Sequence, residues 1–548
     1  MSLIHGKSNR RILPRWRVSN LAASNADIKS LKPLPYVVCD VAGQLREQEE
    51  TFAHDPTLGT ASELMSTAAL AAKPEAALQA SVFVLQQGES APHSLIELAE
   101  RVQRAGLGDD RTAVLPSDKL AARTRALLKV NPNNPVLWSD LARHHASVGD
   151  KKRALRCMTT ALSLAPNHRW MLRTASRFFV HQEDPDAAHK LLVTHPATRN
   201  DPWLIAAELA CAQVAGRAPK YWKQAVDIIR FDKVSPTHLS ELATAVAMIE
   251  LDDDGRKRAR KSIRKALQAP TENTLAQIFW AKENRHLDDG FNLGDLVRQD
   301  SNAFEASTRL SILDGQLLIA LEAAKLWASD EPFAGRPRAE IAYIAALLDD
   351  YKLGMQMADE VRRIDGRPDD VLELNGICAQ LSSGRYDKDR DHAAIENIRA
   401  SLRRKVEQKD ANQFHALANL GLWEYRYGDP AIGRFLYEQS ILMAQKAHKH
   451  EAVAMAATYA AREAMLKGDP AADDFLQRAK EWSRKYQNKA SEFYIKKLDD
   501  LKLNPAKAAE ILSPSSAARF LENKPEQKSI KIQRTEKGVI LWIPGKKS

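Results

Sequence analysis

The chain has 548 residues, 44% of them hydrophobic and 27% charged, with a formal net charge of +10. That length is too great for one compact core, so the chain is either several domains or a structure that grows in one dimension, and the lack of any 18-residue apolar run argues against a membrane-spanning helix. The charge is concentrated at the two ends: residues 1–35 hold seven Lys/Arg against one Asp (+6) and residues 524–548 hold seven against two Glu (+5), leaving −1 between them. A superhelix that tracks nucleic acid is usually basic along its length, so this distribution argues against that class.

Residues 1–58 read as a basic arm with one short strand. MSLIHGKSNRRILPRW lacks the apolar stretch of a secretory signal. In RILPRWRV, Trp16 stands with Ile12, Leu13 and Val18 and can dock in a groove. The same segment also fits a solvated basic terminus, and its arginines ahead of Asp27 fit an organellar targeting segment, which Pro14 spoils. Tyr36–Asp40 is the strand-like run. Helices are expected over 60–72, 75–87, 92–105 and 117–130. Lys73-Pro74 and Ala91-Pro92 punctuate them, because a helix accepts proline in its first turn. Four cysteines stand far apart without a C-x-x-C pair. Cys157 and Cys211 fall on predicted helices and read as buried free thiols.

Residues 131–166 carry the strongest pattern. Trp138, Leu141, Ala142 and His145 share one helical face, Gly149-Asp150 marks a turn, and Ala154, Met158, Ala161 and Leu162 form the facing stripe of a second helix that Pro166 terminates. This spacing resembles the tetratricopeptide repeat, W-x2-L-G-x2-Y, A-x3-F, P, with Ala142, His145 and Met158 as departures. Weaker copies cover 167–235, where Leu172 lies 34 residues after Trp138 and Asp184-Pro185 and Asp201-Pro202-Trp203 punctuate the units. A further block covers 411–486, with Gly-Asp-Pro turns at 428–430 and 468–470. There Leu417, Leu420 and Gly421 repeat the spacing of Trp138, Leu141 and Ala142.

The resemblance implies an all-α fold: a right-handed α-solenoid of about nine or ten helix pairs. The expected organisation is repeats over 59–270, divergent helical repeats over 271–410, repeats and a cap over 411–523, and a tail over 524–548. The loop around Gly290–Asp300 has no clear assignment. In SIKIQRTEKGVILWIP, alternating Ile530 and Ile532, a Gly-containing turn and Val539–Ile543 predict a β-hairpin. The hairpin can pack on the solenoid, pair with the strand near Val37 or join a partner's sheet. Trp542 makes it a second docking element beside Trp16.

No phosphate loop, dinucleotide fingerprint or H-E-x-x-H motif occurs. Asp387, Asp389 and Asp391 open like a calcium loop, but His392 and Ile398 break the pattern. No catalytic role, cofactor or metal is therefore expected. In tetratricopeptide repeats the first helix of each pair lines the concave face. The resemblance thus implies a groove lined by Asp140, Arg143, Arg173 and Arg177, with Asn419, Arg426 and Arg462 in the later block; its arginines are either ordinary solubilising charge or able to hold a carboxylate or phosphate. Lys257, Arg260, Lys261, Arg264 and Lys265 form a basic helix face, either solvated or a patch for nucleic acid or an acidic protein. The expected function is a cytoplasmic scaffold or adaptor that binds a peptide or helix of another protein. The alternatives are a nucleic-acid-associated regulator using its basic termini, or a regulatory subunit of an enzyme complex. Self-association is open, and no membrane partner is expected.

Overall fold

A computed structural model of the chain describes residues 13–16, 41–70, 73–106, 117–231, 234–252, 255–285, 290–300, 302–365, 370–408, 413–517, 520, 531–535 and 538–542. Those residues are helical apart from turns, the irregular segment Leu13–Trp16 and one antiparallel ribbon, Lys531–Thr535 with Gly538–Trp542, which pairs Lys531 with Trp542 and Thr535 with Gly538. The ribbon's side chains, Trp542 included, and the Tyr36–Asp40 run lie outside the described residues. None of the described helices is long and apolar enough to cross a membrane.

The chain divides into two compact units. One comprises residues 19–126 and 525–548, the other residues 1–18 and 127–524. The first contains helices Val41–His54, Leu58–Leu70, Leu78–Gln86 and His93–Gly106. They close on a core of Leu45, Phe52, Leu64, Met65, Val84, Leu95 and Val102. Val41–His54 falls in the span read as an arm. VAGQLREQEETFAH has few apolar residues, but Leu45 and Phe52 lie seven apart, so both face the neighbouring helix.

The second unit stacks ten consecutive helix pairs between Pro135 and Lys485, closed by Lys489–Leu503. This is the architecture of an α-solenoid. Most first helices pack on their own partner and on the first helix of the next pair, as Pro202–Val214 does on Pro236–Asp252 and His450–Lys467 on Lys489–Leu503. Local chemistry sets the helix starts. Asn134 accepts from the amides of Val136 and Leu137 (3.0 and 3.3 Å), and Asp150 from Arg153 (3.0 Å). Asp184, Asp201 and Asp429 cap their helices in the same way, each followed by a proline at the first helical position.

The stripes expected between Leu141 and Ala161 are buried as read: Leu141, Ala142, His145, Ala154, Met158 and Ala161. Trp138 differs. It is only half-buried, because its indole leans over the preceding loop and donates to the Pro132 carbonyl at 2.7 Å. Gly421 allows close helix contact in the later block. A Cβ there would stand 2.9 Å from the Tyr437 ring and 3.1 Å from the Gly433 carbonyl. The span 290–300, left unassigned from sequence, contains the helix Leu293–Gln299, capped by Asn292.

The row of first helices bends tightly enough to bring remote turns together. The Arg143 guanidinium donates to the carbonyls of Ser329 and Asp330 (3.3 and 2.6 Å). Farther along, Lys497 and Tyr494 reach back to Asp349. Cys157, Cys211 and Cys378 are buried, and burial pushes the Cys211 thiol up to about 12.

Candidate functional site

The most elaborate cluster of polar and aromatic contacts in the second unit surrounds a segment far away in sequence, Leu13–Trp16. It follows no helix or strand and lies across the first-helix row. The Leu13 carbonyl accepts from Asn273 Nδ2 at 2.8 Å. Pro14 is buried and brings no N–H that would need an acceptor. The Arg15 guanidinium reaches Glu305 at 2.7 Å and Glu331 at 3.1 Å. Trp16 is fully buried, edge-on to Phe178 at 5.4 Å and tilted against Phe333 at 4.8 Å.

The two acids are themselves held in place. Glu331 accepts from the Trp327 indole N–H at 2.9 Å, and Glu305 pairs with Arg336 at 3.0 Å. Burial alone would raise the Glu331 carboxyl, but Arg15, Arg177 and the Trp327 hydrogen bond outweigh it and hold it at about 2. His181 stacks edge-on to Phe333, and burial together with Arg177 lowers it to about 3, so it is neutral at physiological pH. Among the described residues the Trp16 indole N–H has no acceptor.

The sequence-derived groove residues mostly have partners within the chain. Arg143 is committed to Ser329 and Asp330. Arg173 pairs with Glu241 at 2.5 Å and lies 4.6 Å over the Trp203 ring. Arg177 lies 5.1 Å over the Phe333 ring, next to the Trp16 pocket. Asp140 is half-buried on the Arg143 helix. Asn419 donates to the Leu374 carbonyl at 2.8 Å, and Arg426 pairs with Glu463 at 2.5 Å. Arg462 is completely enclosed, donating to Glu463 (2.6 Å), Tyr351 (3.0 Å), Ser382 (3.0 Å) and Tyr494 (3.3 Å). A carboxylate bound by Arg143 and Arg173 would have to displace these partners. The structure therefore brings Arg177 and Trp16 together at one site and places Arg426 and Arg462 in a separate buried network.

Asn273, Glu305, Glu331 and Phe333 were not singled out from sequence. Asn273 and Glu305 sit on first helices at inner-row positions, which the period alone could have flagged. Glu331 and Phe333 lie in a turn and carry no such signal. On the basic helix, Ala259, Ser262, Ile263 and Ala266 are buried while Lys257, Lys261 and Arg264 are exposed, as its periodicity requires. Arg260 is half-buried, and Lys265 donates to the Ile229 carbonyl at 2.5 Å, helping to close the helix Trp222–Phe231. No family model and no curated protein matches the chain.

Proposed function

We propose that the chain is a non-catalytic binding scaffold of tetratricopeptide-like build whose first-helix row holds an extended segment of a partner protein. The observation that supports this reading is the Leu13–Trp16 segment. Backbone, cation and aromatic ring are each received by a distinct group fixed by its own neighbours, which is how a peptide site differs from ordinary core packing. The C-terminal ribbon serves in this reading as a second dock, through strand addition to a partner's sheet.

The test is affinity purification from cells with the full chain, with Arg15→Ala/Trp16→Ala, and with that pair plus Glu331→Gln. Proteins enriched on the double variant and lost again on the triple variant are expected. Identical partner lists from all three folded proteins would remove the inner row from consideration.

A further inference from the structure

We infer that the first-helix row recognises segments of the pattern apolar–Pro–Arg–aromatic, and that Leu13–Trp16 is its resident occupant, exchanged for a matching segment of a partner protein. This rests on the binding role proposed above and adds the chemical identity of what is bound.

Each position of the pattern follows from a contact. The aromatic position is enclosed by Phe178 and Phe333 and admits no solvent. An aliphatic side chain there would leave a void and lose both ring contacts. The cationic position faces two carboxylates, Glu305 on the helix Phe304–Leu313 and Glu331 in the turn that ends its partner helix Leu317–Asp330. A planar guanidinium spans them through separate nitrogens, whereas a lysine ammonium is a single point and cannot. Trp327 and Arg336 hold the acids in place whether or not the guest is present, so the site is preorganised. Without a cationic guest, two buried carboxylates lose a shared counter-charge, and the vacated site therefore selects for a cation. Proline fits because the segment is extended and its buried backbone nitrogen needs no partner. The apolar position packs against two neighbouring core clusters, one containing Ile205 and the other Leu204. Its carbonyl is read by Asn273, which is blind to the side chain.

Exchange is feasible because the segment forms no rung of a helix or sheet. Among the described residues, one backbone hydrogen bond joins it to the row, so its departure unfolds no helix. Tethering gives the resident segment a high effective concentration, which sets the threshold a partner must exceed.

The probe is a fluorescein-labelled hexapeptide of residues 12–17, Ile-Leu-Pro-Arg-Trp-Arg, titrated by fluorescence anisotropy into the full-length protein. Binding to Arg15→Ala/Trp16→Ala at least ten-fold tighter than to wild type is expected. It should weaken at least ten-fold when the peptide's inner Arg or its Trp becomes Ala, or when Glu331→Gln is added to the protein. A second protein guards against misfolding of the double variant: the native chain with a protease site inserted after Val18, cut after folding. Excess peptide should then release the arm fragment and take its place. Absence of binding to both proteins, with circular dichroism showing both folded, would overturn the inference. A stable arm-exchanged dimer of the wild-type chain would overturn it too, since the occupant would then be a second copy. Partner capture by the double variant without binding of this peptide would eliminate the pattern and leave the scaffold reading standing.

Discussion

Gly149 offers the most direct test of the tight coiling on which the site depends. It ends the first helix of the best-matching pair with a φ of +78°, a left-handed conformation that costs an L-residue about 1–2 kcal/mol. That cost alone would be ordinary. A Cβ built there, however, stands 2.4 Å from the carbonyl oxygen of Arg363 and 3.1 Å from that of Ile364, both backbone atoms in the last turn of the remote helix Tyr351–Asp365. Neither can rotate away, so one chain segment must retreat by roughly 1 Å to regain van der Waals distance. Overpacking of this kind typically costs about 1–3 kcal/mol. Gly216 is the matched control, with a φ of +65° and nothing within 4 Å of its would-be Cβ. Gly216→Ala should destabilise by about 1 kcal/mol, after the smaller entropy of the unfolded chain is allowed for. Gly149→Ala should cost about 2–5 kcal/mol in urea unfolding followed by circular dichroism. Gly468→Ala, at φ +66° and equally unobstructed, should behave like the control. Equal losses at Gly149 and Gly216 would mean that the 149 and 363 turns do not meet, and the curvature that assembles Phe178, Glu305 and Phe333 around Trp16 would fail with them.

Trp16→Ala should free the segment rather than unfold the row, so trypsin cleavage after Arg15 should accelerate at least ten-fold while the urea midpoint of the row changes little; an unchanged cleavage rate would contradict docking. Acid should release the segment as well. The folded Glu331 carboxyl is depressed to about 2 from an ordinary 4.5, so its contribution is complete above the ordinary value and is lost as pH falls from about 4.5 towards 2. Arg15 and Arg177 stay charged throughout, so hydrogen-exchange protection factors at residues 13–16, corrected for the intrinsic pH dependence of exchange, should fall across that window and stay constant between pH 6 and 8. Met158→Ala should cost about 2–5 kcal/mol, because Met158 is wholly buried. Trp138→Ala should cost about 1–2 kcal/mol, since only part of its area is removed from water; a reversed order in thermal melts would contradict the burial pattern. Lys497 has no exposure and pairs with Asp349. Lys497→Met should therefore cost about 3–5 kcal/mol by stranding that carboxylate, and adding Asp349→Asn should recover part of the loss.

Much of the fold was legible because its signals are local. Asn134, Asp150, Asp184, Asp201 and Asp429 announce helix starts by chemistry confined to three residues, and Ala154, Met158 and Ala161 announce a buried stripe by spacing. The basic helix was legible for the same reason: Ala259, Ile263 and Ala266 recur at helical steps among cations. Val41–His54 was missed because only Leu45 and Phe52 of its face are large and apolar. The site was largely illegible. Arg15 and Glu305 lie 290 residues apart, and neither carries a local mark of the other. Trp16 was legible only as a ring capable of docking, since the pocket walls Phe178 and Phe333 come from different parts of the row.

The inner-row arginines show why spacing identifies a face but does not establish what that face meets. In an open superhelix, positions such as Arg143 and Arg173 would look onto water and be available to a ligand. Here the row is coiled so closely that Arg143 meets the carbonyls ending a helix nearly two hundred residues away, and Arg173 meets Glu241 two first helices further on. Curvature depends on small differences in helix contact, such as the missing Cβ of Gly149 against the 363 turn, summed over ten pairs. A modest change at each step turns an arginine from a ligand contact into an internal tie. The position where the row instead presents two fixed carboxylates and an aromatic slot is occupied by Arg15 and Trp16, the complementary cation and ring. The charge of the recognised guest is therefore opposite to the one the arginine pattern implies: the inner row accepts a cation, and a carboxylate-bearing tail would meet Glu305 and Glu331.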